Sequence, residues 1–581
     1  MKLRSFFYLL ATIATGLFLT GTIAFFWLFA QSPLGLLNGS RDEPSAAMFI
    51  SKQAPVMASL MVNPDRLTAL RQIVVKPGKR KQARAELDQF KQGLIGATGL
   101  DYQRDLQPWL GDEITLAVTT LDIDRDSENG QQPGYLMALT TKDPQRSREF
   151  LQVFWQKQAI AGTNLIFEPY KGTKLIYGSE LKDSQTRKPN SPLLLASAVI
   201  GDRFVLFANS PKVLRDAINT VQAEELGLEN STNYQSAIAN LTQGRIGMVF
   251  LNLPQLAALT GEESVAVTNS EEVSAVYQGL AIALGLDRQG LTAETALLAP
   301  AVDIASTPST SKSVGALKYI PASSPLSASG VDLDRAWASL SQGVSGYRSV
   351  ADLVNRPIEA LNDRWKLDLP KDIFSWVKGE YALGLVPREE EGTEQKTLSD
   401  WVFVADKSTD QNAQSAIEHL DDIAKAQGIS IGSLQLSDQT VNVWTRLLVA
   451  GDAEKRSQKT VDVQAQVAGV HASVGNYEIF TTSVEAMDDV LKATKNPISQ
   501  TKGFEQAIAP LSTPNNGYLY LDWQTAQPIL ESRFPVLKVL EFAGQPFFDH
   551  LRSFTISSYG SRSGVQRGGA FLKLEETSKV K

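Results

Sequence analysis

Leu100 to Leu116, LDYQRDLQPWLGDEITL, returns further along the chain as Leu367 to Leu383, LDLPKDIFSWVKGEYAL. At a constant offset of 267, Leu100, Asp101, Asp105, Trp109, Glu113 and Leu116 meet Leu367, Asp368, Asp372, Trp376, Glu380 and Leu383. Unrelated segments of this length would share about one residue by chance. A repeat of this kind has to be settled before any fold is assigned.

Working outward, the correspondence continues. Phe49-Ile50 and Pro55 meet Tyr319-Ile320 and Pro325, and Val62, Asn63, Asp65 and Arg66 meet Val331, Asp332, Asp334 and Arg335. Gly201, Asp202 and Val205 meet Gly475, Asn476 and Ile479, while Gly247, Leu251 and Asn252 meet Gly517, Leu521 and Asp522. The offset drifts by only a few residues, which places insertions in loops. The sequence therefore predicts two tandem homologous units, residues 47–300 and 314–575, joined by a Pro/Ser/Thr linker at 301–313 and followed by a polar tail at 576–581.

Within each unit, short β-rich runs alternate irregularly with helical patterns. Asp143-Pro144 and Ser210-Pro211 read as helix starts: Asp or Ser offers an oxygen to free N–H groups, and proline has no N–H to lose. Leu193 to Ile200 and Phe204 to Ala208 read as a hairpin about Gly201-Asp202. Several hairpins without regular crossovers predict an α+β class, with mainly antiparallel sheets and helices on one face.

Two readings of the repeated motif stay open. On one continuous helix Asp101, Asp105 and Trp109, which Glu113 follows, share a face and could flank a cation or a sugar, and Asp368, Asp372, Trp376 and Glu380 repeat the pattern. Alternatively the first Asp caps, the second favours the helix N-terminus and the Trp fills the core. The second reading explains these positions without a ligand, so the motif is expected to be structural. It assigns no catalytic, metal or cofactor residue.

Phe6 to Ala30 is a run without charge, long enough for a membrane helix. Lys2 and Arg4 precede it, which leaves the N-terminus cytoplasmic and the bulk outside. The run is too long for a signal-peptide core, and Leu28-Phe29-Ala30 is a poor cleavage site. Thr12, Gly16, Thr20 and Ala24 form a small-residue stripe that is also ordinary for such helices. Residues 31–46 read as a tether. Basic residues from Lys76 to Arg84 read as a solvated helix start, with anionic lipid as the alternative partner.

The chain has 56 basic and 63 acidic residues, a net charge of −7 and no cysteine. Without a sizeable basic tract nucleic acid is not an expected partner, and thiolate chemistry is excluded. His419, His471 and His550 form no ligand pair, and neither a P-loop nor a G-x-S-x-G is present. Ser179 to Lys182 and Ser309 to Lys312 match S-x-x-K but lie in polar loop or linker without partner motifs.

Phe49 to Arg66, Asp101 to Glu113, Gly201 to Asn209 and their second-half partners resemble a cyanobacterial family of membrane-anchored proteins known as domain of unknown function 3352. The resemblance implies no activity, cofactor or catalytic residue. It does imply a single-pass protein of the plasma or thylakoid membrane, with its bulk in the periplasm or thylakoid lumen. The expectation is a non-catalytic scaffold, anchored in the bilayer through Phe6–Ala30, that serves a membrane-protein partner in the assembly or maintenance of a photosynthetic complex. A carrier of a lipid or pigment between the units is the first alternative, and an uncharacterised hydrolase the second.

Overall fold

A computed structural model describes residues 43–63, 101–126, 131–178, 195–242, 244–259, 277–287, 289–298, 314–388, 398–450, 462–533, 548 and 551–574. Phe6–Ala30, most of the tether, Lys76–Arg84, the linker, the tail, both S-x-x-K matches and His550 lie outside the described residues. No described helix is long and apolar enough to cross a membrane.

The class is α+β with antiparallel sheet. The first ten strands are β1 (Val56–Leu60), β2 (Leu110–Thr120), β3 (Gly134–Thr141), β4 (Leu165–Tyr170), β5 (Thr173–Gly178), β6 (Ala196–Ile200), β7 (Phe204–Ala208), β8 (Gly247–Asn252), β9 (Gly279–Leu286) and β10 (Gly290–Leu298). They pair, all antiparallel, in the order β4-β5-β6-β7-β3-β2-β1-β8-β9-β10. The next ten are β11 (Leu326–Val331), β12 (Glu380–Arg388), β13 (Leu398–Asp406), β14 (Ser430–Leu436), β15 (Gln439–Ala450), β16 (Asp462–Val474), β17 (Tyr477–Thr481), β18 (Gly517–Asp522), β19 (Leu551–Arg562) and β20 (Val565–Leu574). Their order, β14-β15-β16-β17-β13-β12-β11-β18-β19-β20, is that of the first ten. β10 and β20 then pair with each other, Gly290 opposite Lys573 through Leu298 opposite Val565, and join all the described strands into one sheet.

The helices are α1 (Pro144–Ile160), α2 (Pro211–Gln222), α3 (Thr232–Ala239), α4 (Leu253–Leu259), α5 (Leu333–Val344), α6 (Arg348–Trp365), α7 (Ala413–Ala426), α8 (Val484–Lys492), α9 (Lys502–Ile508) and α10 (Trp523–Arg533). Their starts follow the residues that offer oxygens. Asp143 accepts from Arg146 N at 3.1 Å, Ser210 from Lys212 N at 3.2 Å and Ser483 from Ala486 N at 3.1 Å. Asn252 and Asp522 accept from Gln255 N at 3.3 Å and Thr525 N at 3.1 Å. Asp332 accepts from Arg335 N at 3.1 Å, whereas Asn63 donates to the carbonyls of Leu110 and Gly111 at 3.0 and 2.6 Å.

Helices cover both faces of the first ten strands, not one face as the sequence implied. The cause is visible in β7, FVLFA, where all five residues are buried. Phe204, Leu206 and Ala208 join α2 and α3 in one core, and Val205 and Phe207 join α1 in another. A strand apolar at every position has to be covered on both sides.

Across the β10–β20 seam, Trp523 of α10 packs with Val62, Ile246, Leu284 and Leu291. Tyr277, which precedes β9, packs with Ala257 of α4 and with Val344 and Tyr347. Tyr277 N donates to Gly343 O at 3.0 Å, and the Tyr347 hydroxyl donates to Tyr277 O.

Where β18 meets β11 the chains approach so closely that only glycine fits. Gly517 has a φ of +119°, and a Cβ there would stand 1.9 Å from the Ser329 carbonyl oxygen. Gly517→Ala is therefore expected to lower stability by about 3 kcal/mol or more, through left-handed strain and backbone displacement. A fall in the denaturant midpoint measures this, and an unchanged midpoint would contradict the register.

Candidate functional site

The repeated motif does not form a continuous helix. Tyr102–Leu106 is a single π turn, as is Leu369–Ile373. The chain turns again, and Glu113 and Glu380 lie on β2 and β12. Asp101, Asp105, Trp109 and Glu113 consequently share no helical face.

Each of these side chains makes a contact that recurs in the second half. Asp101 accepts from Arg104 N at 2.8 Å, and Asp105 reaches back to accept from Asp101 N at 2.9 Å. Asp368 accepts from Lys371 N at 3.4 Å, and Asp372 from Asp368 N at 2.8 Å. The two carboxylates thus satisfy each turn's free N–H groups reciprocally, as a capping box does. Trp109 Nε1 donates to Asp105 O at 2.7 Å and Trp376 Nε1 to Asp372 O at 3.1 Å, and both rings are buried.

Glu113 and Glu380 close a different element. Ser45–Phe49 and Gly315–Tyr319 are short 3-10 helices at the head of each half. Glu113 accepts from Ser45 N at 3.0 Å, Ala46 N at 2.9 Å and Thr115 Oγ1 at 2.9 Å. Glu380 accepts from Gly315 N at 2.7 Å and from the Tyr477 hydroxyl at 3.1 Å. A carboxylate at a helix N-terminus meets unpaired donors and the positive end of the dipole.

Beside Asp105 and Trp109 runs an open groove of about 400 Å³, walled by Arg104, Pro108, Arg146, Glu149, Phe150, Val153 and Lys157. Trp109 and Phe150 stack with centroids 5.5 Å apart. The Arg104 guanidinium binds both Asp105 oxygens, at 2.8 and 3.0 Å, and holds that carboxyl below its ordinary range. Among the described residues no group of three or more His, Cys, Asp or Glu is placed to hold a metal ion.

One cluster escaped sequence reasoning. On β16 and β17, His471 Nδ1 lies 2.8 Å from Glu478 Oε1, and both residues are buried. His471 Nε2 lies 3.2 Å from Asp421 Oδ1 of α7. Lys407 Nζ donates to Ser473 Oγ at 2.6 Å and to Glu478 Oε2 at 3.2 Å, and Trp444 Nε1 donates to Asp421 at 2.8 Å. In the first half the matching layer is mostly apolar: Trp155 donates to Ser197 Oγ at 2.8 Å, with Val205 in the same core.

The register explains why the cluster was missed. Ile200 pairs with Phe204 around three residues, but Val474 pairs with Tyr477 around two. Beyond that turn Val205 therefore corresponds to Glu478, not to Ile479. His419 is exposed on α7 and belongs to no such cluster among the described residues.

Residues 10–574 match the model of a family described as "Protein of unknown function (DUF3352)". The chain belongs to that family. The DUF3352 match spans both halves of the sheet and ends at the last residue of β20. No curated protein and no solved structure matches the chain.

Two outcomes follow for this DUF3352 protein. Glu113→Ala leaves two backbone donors and the hydroxyls of Ser45 and Thr115 without this acceptor, a loss of about 3 kcal/mol in equilibrium unfolding; an unchanged midpoint would refute the capping role. Burial pushes the Glu478 carboxyl up, but hydrogen bonds from His471 and Ser473 and the charge of Lys407 outweigh it and leave its pKa below the ordinary value. Its contribution to stability is complete above the unfolded glutamate pKa of about 4.3 and lost as pH falls through the lower folded value. Denaturation midpoints should therefore fall with acidification below that pH in the wild type and fall less in Glu478→Gln; parallel profiles would contradict the assignment.

Proposed function

We propose that this chain is a membrane-anchored, extracytoplasmic, non-catalytic scaffold made by tandem duplication of one α+β unit. In this reading residues 47–300 and 314–575 are the two copies, and Phe6–Ala30 is a transmembrane anchor. The partner is a membrane-protein complex whose assembly or maintenance the scaffold assists, a photosynthetic one if the host is cyanobacterial.

The observation that carries the duplication is the strand order, identical in the two halves, with the Asp, Asp, Trp and Glu side chains making the same kinds of bond in each. The polar residues common to both halves close helix ends and turns, which is folding chemistry. What remains for function is surface. The twenty strands among the described residues, at about 4.8 Å spacing, give a sheet contour of about 90 Å. An elongated surface of that kind suits contacts with a large assembly more than enclosure of a small substrate.

The test is affinity isolation of the tagged full chain from gently solubilised membranes. The expected result is co-purification of the same membrane protein in near-stoichiometric amount across independent preparations. Repeated recovery of the chain alone from the membrane fraction would contradict the scaffold reading.

A further inference from the structure

Helix α1 carries apolar side chains on two faces. Leu151, Phe154 and Trp155 are buried against the sheet. On the outward side stand Arg146, Phe150, Val153, Lys157 and Ile160, at spacings of four, three, four and three residues. That spacing keeps all five within one narrow stripe of the helix. Val153 is 48% exposed and Ile160 87% exposed. Single exposed apolar residues need no explanation, but a stripe in which they alternate with cations does.

Arg146, Phe150, Val153 and Lys157 of the stripe, with Glu149 beside them, form one wall of the groove described above, and Arg104 faces it from the π turn. The acids nearby are Asp105, already bound by Arg104, Asp143, 3.3 Å from Arg146, and Glu149, which accepts from Gln145. The Lys157 ammonium is placed to lower the Asp105 pKa and pairs with no carboxylate among the described residues. The helix in the corresponding place in the second half, α7, differs: it exposes Glu418 and Asp422, and Lys425 is paired with Asp422 at 3.1 Å. The basic and apolar stripe thus belongs to the half that directly follows the apolar run Phe6–Ala30 in sequence.

We infer that the outward face of α1, together with Arg104, docks on the anionic surface of a lipid bilayer. Val153 and Ile160 enter the headgroup region, Phe150 lies at its edge, and Arg104, Arg146 and Lys157 sit among the phosphates. This is the arrangement of interfacial helices, in which apolar burial and charge attraction add. The inference uses the anchored reading only for proximity: an anchored chain holds this face close to lipid continuously.

The chain has no cysteine, so Ile160→Cys provides a unique site for an environment-sensitive fluorophore. The labelled full chain is reconstituted into phosphatidylcholine vesicles with or without phosphatidylglycerol. Flotation first reports whether the chain is anchored, independently of the dye. The expected result is a blue shift and a several-fold rise in emission in the anionic vesicles alone. High salt, or the exposed pair R146E and K157E, abolishes it without changing flotation or circular dichroism. Equal emission in both vesicle types, or a rise that survives the charge reversal, would overturn the inference. An equal rise with monomeric dodecyl phosphate in the absence of bilayer would also overturn it, since the groove would then be a site for a soluble amphiphile. If flotation fails, the anchored reading falls, and vesicles added to the soluble chain still decide the role of α1.

Discussion

The pairing of β10 with β20 is the constraint on which the rest depends. Each set of ten strands ends in an edge at this point, and an unpaired edge presents a row of free N–H and C=O groups. Here each edge satisfies the other over nine residue pairs, from Gly290 with Lys573 to Leu298 with Val565. Because the two strands occupy equivalent places and run antiparallel, the join is self-complementary, like a twofold interface within one chain. The packing on either side follows from it. Trp523 rests on residues of the first half, and Tyr277 lies beneath α5 and the start of α6. The far ends of the sheet are treated differently. β4 carries Pro169, which offers no N–H, and Glu168 held by Arg215 at 2.9 and 2.8 Å.

With the seam fixed, the head of each half has to be closed, and the repeated carboxylates do this. Glu113 and Glu380 hold the first short helix of each half against its sheet, and the Asp pairs close the π turn that delivers Trp109 or Trp376 to the core. The glutamate bonds link segments far apart in sequence, whereas the Asp pairs act within a single turn. Four residues at one spacing, Asp, Asp, Trp and Glu, thus make the same kinds of bond in both halves. The buried His471, Glu478 and Lys407 cluster is a departure within this plan, since the first half fills the same layer with Trp155, Ser197 and Val205.

Much of the local structure could be read from residues. Asp143-Pro144, Ser210-Pro211, Ser483 and Asp522 each stand where a helix begins, because a short polar side chain competes well for free N–H groups at that point. The class, α+β with antiparallel strands, followed from the hairpins. Long-range facts were hidden. Nothing in GLTAETALL announces pairing with a strand some 275 residues later, because strand partners are chosen by burial and register rather than by local signature. The motif was mistaken in shape: an i, i+4, i+8 pattern reads as a helix, but Trp109 Nε1 bonding to Asp105 O closes the segment as a turn before Leu110 begins β2. The groove arises from the outer face of α1, whose two apolar stripes blur the helical period by which such a face would be recognised.

Hydrogen exchange on the full chain, followed at the amides of Gly290–Leu298 and Val565–Leu574, tests the seam most directly. A paired seam predicts that the ladder amides of both strands exchange as slowly as those of the central strand β1, through global unfolding. Exchange in either strand orders of magnitude faster than in β1, as at an open edge, would contradict a continuous sheet and the account built on it.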